Sequence, residues 1–291
     1  STGPLIPRAI PPADADLVCE PARDGLIQGR VQTGRPVLYV NAATFAGLRS
    51  AAAFLARTRD RTRSESAARR AAELRTAWNT ALERSEGQHE RNAACGLHPS
   101  WIVDDLTAYR RVLEAARQQT HDGTDQFKEQ PLHTQIPIAT AHQWLLMGQP
   151  DRAWKDLRWY WAHQTSPGLY VWWDGNGEDH TFDRWESVRG WVNPLYVSPH
   201  YGTAAEITLL QLAMLAHLDE SGPQPVLVVG AGVPDEWLKE RLSVSGLRTR
   251  LGTVSWEWDG RRLRVRAPGI DSSAIRPAGA FARGVPTAST P

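Results

Sequence analysis

Residues 203–218, TAAEITLLQLAMLAHL, form the most apolar helix that the sequence predicts. A helix that is apolar on nearly every side belongs in the interior of a protein, so this stretch predicts an inner helix. Glu206 is the one Asp, Glu, Lys or Arg residue within it. Because an unpaired acid on such a helix is costly, Glu206 either pairs with an arginine or faces the centre of the helical barrel, and the sequence favours the pairing.

Helices of two kinds alternate along the chain before this stretch. Apolar segments predict inner helices, and segments with one charged face predict outer helices. The inner segments are residues 41–58, 96–103 and 136–147, and the outer segments are residues 64–85, 104–119 and 151–164. This order predicts helical hairpins arranged in two rings, with the apolar helices at the centre and the polar helices facing water.

The other parts of the chain are predicted to be irregular or to form strands. Residues 1–40 are rich in proline and glycine and predict an irregular entry segment, with a short strand at residues 37–40. The helical part extends over residues 41–220, followed by a small antiparallel β module at residues 221–270. Residues 271–291, rich in Ser, Ala, Pro and Gly, are expected to form a flexible tail.

One hairpin of the β module is predicted from its turn. Asp259 and Gly260 separate two runs of alternating apolar and polar residues, which indicates a two-residue turn.

Composition excludes several classes of protein. The 291 residues include 33 basic and 32 acidic ones, so the formal charge of +1 predicts neither a nucleic-acid partner nor an anionic membrane partner. No apolar run approaches the ~20 residues that span a bilayer. Two cysteines exclude a disulfide framework. Residues 230–232, Gly-Ala-Gly, lack the third glycine of a dinucleotide turn, so we expect no cofactor. We also expect no metal, since two cysteines nearly exclude a thiolate zinc site and Asp179 stands where a calcium loop requires glycine.

The segment before the last inner helix combines tryptophans with carboxylates. Between residues 172 and 186 lie three tryptophans and five acids: Trp172, Trp173, Trp185, Asp174, Glu178, Asp179, Asp183 and Glu186. Flat apolar rings stack on ligands, and carboxylates transfer protons. Sugars fit this pairing best, so the segment predicts a cleft for an oligosaccharide or glycoside substrate.

The chain resembles a known family at this point. The double-ring alternation, the acidic loop before the last inner helix, and the runs GAGVPDEWLKE and LRTRLGTVSWEWDG are similar to the six-hairpin glycosidases. These are glycoside hydrolases such as glucoamylases, maltose phosphorylases and bacterial α-L-rhamnosidases. The resemblance covers roughly residues 36–268. It implies a mainly α fold, a complete or partial (α/α)6 barrel with a small C-terminal antiparallel β module.

The resemblance also implies an activity and candidate catalytic residues. It implies cleavage of a glycosidic bond, from a chain end and with inversion, by carboxylate acid/base catalysis. In the family the general base precedes the last inner helix, and by position it falls within residues 173–186. Glu186, in a Trp-Glu pair, and the loop acids Glu178 and Asp179 are therefore the predicted catalytic residues.

The general acid of the family would precede the first inner helix. Gln28 stands in that region, and the nearest acids are Glu20 and Asp24. About seven barrel helices are predicted, so the chain is expected to be part of a longer enzyme, whose missing N-terminal part would be a partner, or an incomplete toroid.

Several residues are predicted to bind the substrate: Trp172, Trp173, Trp185, Trp191, His200, Tyr201 and Gln28. Since Trp172 and Trp173 are adjacent, at most one of them stacks on sugar if the segment is extended. His200 either bonds a sugar hydroxyl or caps the last inner helix. Residues 90–92 and 133–135, which precede other inner helices, are predicted secondary binders.

Two alternatives to a glycosidase stay open. A polysaccharide lyase would use His200 and Tyr201 to abstract a proton next to a uronate carboxylate. A non-catalytic carbohydrate-binding subunit would explain the glutamine at position 28.

Overall fold

A computed structural model describes residues 19–23, 25–29, 38–83, 94–131, 133–175, 198–222, 224–282 and 287–290. About half of it is helical, with a small mixed sheet region near the C-terminal end. The chain divides into two compact units, Ser1–Gln119 and Thr120–Pro291, each of which is described by itself. None of the helices within the described ranges is long and apolar enough to cross a membrane.

The first unit is built around a helical hairpin. Its elements in chain order are β1 (Cys19–Arg23), β2 (Leu26–Gly29), α1 (Leu38–Arg57), α2 (Arg61–Leu82) and α3 (Leu106–Thr120). Strands β1 and β2 pair in antiparallel fashion. Asp60 caps α2 by accepting a hydrogen bond from the backbone N–H of Arg63. The indole of Trp78, which is fully buried, donates to the Leu38 carbonyl at 3.0 Å and joins α2 to the start of α1.

Two sequence predictions for this unit are wrong. Residues 38–40 are helical and form no strand, because Leu38, Ala42 and Phe45 lie on one buried helical stripe and the helix already begins at Leu38. Residues 96–103 form turns instead of an inner helix. There the buried Tyr109 hydroxyl accepts from the Gly96 N–H at 3.0 Å, so the turns are packed against α3.

Within the described ranges, the first part of the second unit contains three helices: α4 (Gln135–Leu146), α5 (Pro150–Ala162) and α6 (Tyr201–Leu215). Helix α4 contacts both α5 and α6. Its residues 137–145 are all buried, as predicted for an inner helix, whereas α5 buries one stripe, as predicted for an outer helix. Helix α6 also buries one side, and Leu209 and Leu212 on it are about two-fifths exposed.

Two small sheets follow in the same unit. The first has the order β3-β4-β8, from β3 (Ala216–Asp219), β4 (Val226–Val229) and β8 (Ile275–Pro277). The second has the order β5-β6-β7-β9, from β5 (Leu242–Thr249), β6 (Gly252–Trp258), β7 (Leu263–Arg266) and β9 (Thr287–Thr290). The pairs β4–β8 and β7–β9 are parallel and the others are antiparallel. The module is therefore mixed, not purely antiparallel as predicted.

The boundaries of the β module also differ from the prediction. Helix α6 ends at Leu215, because residues 216–219 pair with β4. Residues 272–282 are ordered into β8 and two 3-10 turns, and the buried Phe281 packs against Trp256, so they are not a flexible tail. The predicted hairpin exists, but its loop spans residues 259–262, where the Asp259 carboxylate accepts two backbone N–H groups.

Candidate functional site

The carboxylate of Asp174 lies between two histidines in the second unit. Its Oδ1 is 3.3 Å from Nδ1 of His133, and its Oδ2 is 3.8 Å from Nε2 of His200. The first contact is within hydrogen-bond range, and the second is an electrostatic contact when the ring is protonated. The side chains of Asp174, His133 and His200 expose 31%, 39% and 22% of their surface. A ligand can therefore reach this group from solvent.

Helix ends position the three side chains. His133 precedes α4 and His200 precedes α6, while Asp174 follows the extended residues 171–173. His133 and Asp174 form an isolated antiparallel bridge, and the His200 N–H donates to the Trp172 carbonyl at 3.0 Å. The group thus lies at the N-terminal ends of two helices, where free N–H groups and the helix dipoles favour negative charge.

A hydrogen bond to His200 caps helix α6. The Thr203 N–H donates to Nδ1 of His200 at 3.3 Å, which makes His200 the N-cap of α6. Nε2, the other ring nitrogen, is the atom nearest Asp174. The predicted capping role of His200 is confirmed; its contact with a sugar stays a prediction.

A buried chain of hydroxyl groups holds the two helix ends together. The hydroxyls of Thr134 and Thr203 lie 2.7 Å apart, and Thr134 donates to the Trp173 carbonyl. The Tyr160 hydroxyl donates to the Thr134 carbonyl at 2.6 Å. Both threonines are fully buried, so this network fixes the backbone at Trp173, directly before Asp174.

A close helix contact adjoins the same place. A Cβ added to Gly202 would lie 2.9 Å from the Gln135 side chain and 2.9 Å from Cε1 of His200. A larger residue would therefore displace the Gln135 or His200 side chain.

Trp172 and Trp173 pack in the core and not on a surface. They expose 2% and 5% of their area, and their indole N–H groups donate to the carbonyls of Tyr160 and Pro131, each at 2.9 Å. With both rings enclosed by the core that includes α4, α5 and α6, neither offers a face to a ligand. The prediction that one of them stacks on sugar is not supported, and their contribution is to anchor the residue that follows, Asp174.

The structure places the other predicted site residues as follows. Tyr201 is the first residue of α6 and is 79% exposed, beside His200. Gln28 lies in β2 of the first unit, paired with Glu20, and its side chain is outside the described part. Residues 90–92 and the residues Glu178, Asp179, Trp185, Glu186 and Trp191 lie outside the described ranges.

Glu206 pairs with a buried histidine. Its Oε1 lies 2.8 Å from Nδ1 of His142, which is 2% exposed. His142 lies on α4 and Glu206 on α6. Since a buried imidazole can share a proton with a carboxylate, His142 compensates this acid within the apolar helix.

A second buried pair was missed by the sequence analysis. Nε2 of His121 lies 3.1 Å from Oδ1 of Asp156, and both side chains are less than 5% exposed. The pair joins the turn at residues 121–127 to α5, and Phe127 packs on the His121 ring at 4.2 Å. Enclosure on all sides gives it a packing role.

Asp174 and His133 come together over a gap of 41 residues. The sequence signals for them differ: His133 stands directly before a predicted inner helix, and Asp174 belongs to the segment of tryptophans and acids.

No protein-family model matches the chain, and neither a curated protein nor a solved structure matches it.

Proposed function

We propose that this chain is a glycoside hydrolase, with a sugar-binding cleft that opens at Asp174, His133 and His200. The observation that carries the proposal is the accessible carboxylate of Asp174, held between two imidazoles at the start of α4 and α6. It stands immediately before the acidic segment that contains Glu178, Asp179 and Glu186. The cleft and the predicted catalytic acids are thus continuous in the chain.

The chemistry of the three side chains suits a neutral polyol. A carboxylate accepts hydrogen bonds from neighbouring hydroxyl groups, and an imidazole beside it donates or accepts according to its proton. Sugars present pairs of neighbouring hydroxyl groups, which such side chains can bond. A uronate would instead bring a second negative charge close to Asp174, which is unfavourable. The site therefore favours a neutral glycoside over an anionic one.

The catalytic step is assigned to the segment that follows Asp174. Glu186 is proposed as the general base that removes a proton from water as the water attacks the anomeric carbon. A second carboxylic acid would donate its proton to the leaving oxygen, and inversion requires the two groups to stand ~6.5–9.5 Å apart. Asp174 would bind and orient the sugar, and His200 would be held by the cap of α6 to contact it.

The helical part is proposed to form a complete or partial (α/α)6 barrel. Two features of the helices support this: α1 and α2 form one hairpin, and in another hairpin the buried α4 precedes the amphipathic α5. Short connections between antiparallel neighbours of this kind are the repeating unit of such barrels.

The test is hydrolysis of a panel of aryl glycosides and oligosaccharides by the wild type and by Glu186→Gln. We expect the variant to lose about 10²–10⁴-fold in kcat because the general base is removed. Glu257→Gln, at an exposed position on β6, makes the same change of charge and serves as the control. Full turnover by a folded Glu186→Gln protein would refute the assignment of the base.

Two other outcomes would replace the proposal. An unsaturated product that absorbs in the ultraviolet, formed from uronate polymers and lost in His200→Asn, would identify a lyase. The exposed Tyr201 beside His200 is the feature that favours this second candidate. Oligosaccharide binding without cleavage at any pH would identify a carbohydrate-binding subunit.

A further inference from the structure

A cavity of about 510 Å³ lies in the second unit, away from Asp174. Leu145 and Leu146 from the last turn of α4 line it, as does His217, two residues beyond α6. Asp174 and its histidines lie at the other ends of the same two helices. One length of α4, about 18 Å at 1.5 Å per residue, therefore separates the cavity from the candidate sugar site.

Carboxylates stand at the mouth of this cavity. Asp151 lies in the first turn of α5, and Glu236 lies in the 3-10 helix Asp235–Lys239. Both are exposed, and neither forms an ion pair or hydrogen bond with another residue in the described ranges. The cation at the mouth, Arg276, is already held by Asp219 at 2.6 Å. The mouth therefore carries net negative charge.

The imidazole of His217 adds an acceptor inside the cavity. Its Nδ1 lies 2.9 Å from the Ala213 carbonyl, so Nδ1 carries the proton of the neutral ring and Nε2 is an acceptor. Within the described ranges Nε2 has no hydrogen-bond partner. Burial lowers the pKa of His217 to about 4, so the ring is neutral at pH 7.

Part of the remaining wall of the cavity is apolar. Val228 and Ala231 are buried beside Leu145, and the ring of Trp154 closes one side. The Trp154 N–H is already donated to the Gly232 carbonyl at 2.8 Å, so the indole presents its ring and not a donor. The carboxylate of Asp235 also lines the cavity. The cavity thus combines an apolar wall with the His217 acceptor and several carboxylates.

We infer that this cavity binds an organic ammonium ion with an apolar body. The ammonium group would lie between Asp151 and Glu236, where the electrostatic potential is negative and the two carboxylates can accept its hydrogen bonds. The hydrocarbon part would lie against Leu145 and Trp154. A site of this volume lies within the range of small-molecule pockets. The inference is independent of the proposed glycosidase activity.

The experiment compares two ligands of the same shape. Phenethylamine and 2-phenylethanol differ in an ammonium group against a hydroxyl, and binding of each is measured by calorimetry at low salt. We expect the amine to bind at least about tenfold more tightly than the alcohol, because charge complementarity acts on the amine alone. The double variant Asp151→Asn/Glu236→Gln should remove that difference, while the control Glu257→Gln should keep it.

Three results would overturn the inference. The first is equal binding of amine and alcohol, and the second is undiminished amine binding by the folded double variant. The third is no saturable amine binding below about 10 mM. Oligosaccharide binding that the double variant loses would assign the cavity to sugars instead. Since none of these readouts uses hydrolysis, failure here leaves the proposal for Glu186 untouched.

Discussion

The hydroxyls of Thr134 and Thr203 lie 2.7 Å apart and join the N-terminal ends of α4 and α6. Both side chains are fully buried, and Thr203 also contacts Nδ1 of His200 at 2.8 Å. One buried bond therefore sets the distance between two helices and the orientation of a candidate site residue.

We expect Thr203→Val to weaken both stability and function. The substitution keeps the shape but leaves the buried Thr134 hydroxyl without its partner, which should lower the free energy of unfolding by about 1–3 kcal/mol. Thr208→Val is the control, since Thr208 is exposed on the same helix and bonds only the Ala204 carbonyl. Denaturation midpoints of the two variants measure the difference, and equal midpoints would contradict the structural role of the pair.

Asp174→Asn tests whether the carboxylate between the histidines binds the ligand. An amide keeps the size but removes the charge, so we expect a loss of about 10- to 100-fold in kcat/KM on the best glycoside, equivalent to one charged hydrogen bond. The thermal midpoint should change little, because Asp174 is partly exposed. A variant with unaltered kinetics would show that substrate does not contact this carboxylate.

His217 should make the stability of the protein depend on pH. Burial lowers its pKa from 6.5 to about 4, so between these values the unfolded chain binds a proton that the folded chain does not. Stability should therefore fall as the pH decreases from about 6.5 to about 4, by on the order of 3 kcal/mol at most, and this contribution should be constant above 6.5.

Urea unfolding at several pH values measures this effect. His217→Asn retains a donor for the Ala213 carbonyl and should flatten the dependence. His163→Asn is a matched control, since Nδ1 of His163 also bonds a carbonyl four residues earlier, at 2.8 Å, but the ring is exposed. If the free energy of unfolding depends on pH equally in both variants, His217 is not the source of that dependence.

Gly279 tests the integration of residues 272–282 into the fold. Its φ is +55°, and an added Cβ would lie 2.3 Å from the Gly230 carbonyl oxygen, which is backbone and cannot swing away. Gly246 has a φ of +73° with nothing within 4 Å of the added Cβ. Gly246→Ala should therefore cost about 1–2 kcal/mol from backbone strain alone, and Gly279→Ala about 3 kcal/mol or more.

Tryptophan fluorescence during denaturation follows these two variants, because Trp256 and Trp258 contact Phe281. Equal losses in both variants would show that the segment is loosely attached.

Local periodicity predicted the helices well and their ends less well. The apolar run at 203–218 gave α6, but its last residues joined a strand because β4 offered backbone partners that no local pattern reveals. Residues 37–40 favour a strand by composition. Leu38 is nevertheless buried on the same side of α1 as Ala42 and Phe45, and it is therefore helical. Tertiary pairing overrides local preference at both places.

The candidate site was located in part. Position before the last inner helix identified His200, whereas its link to Asp174 and His133 depends on residues far apart in the chain. The same limit explains Glu206: sequence shows that a buried acid needs a partner, but not that His142, 64 residues earlier, is the partner.

The parallel pairing of β4 with β8 has a consequence for synthesis on the ribosome. Leu227 and Val229 lie in the centre of their sheet, and Ile275 and Pro277 complete it from a much later part of the chain. A nascent chain that has reached β7 still exposes one edge of β4, and an open edge is prone to pair with other chains. The β module can therefore close only after nearly all of these residues have emerged, which makes truncated products of this protein candidates for aggregation.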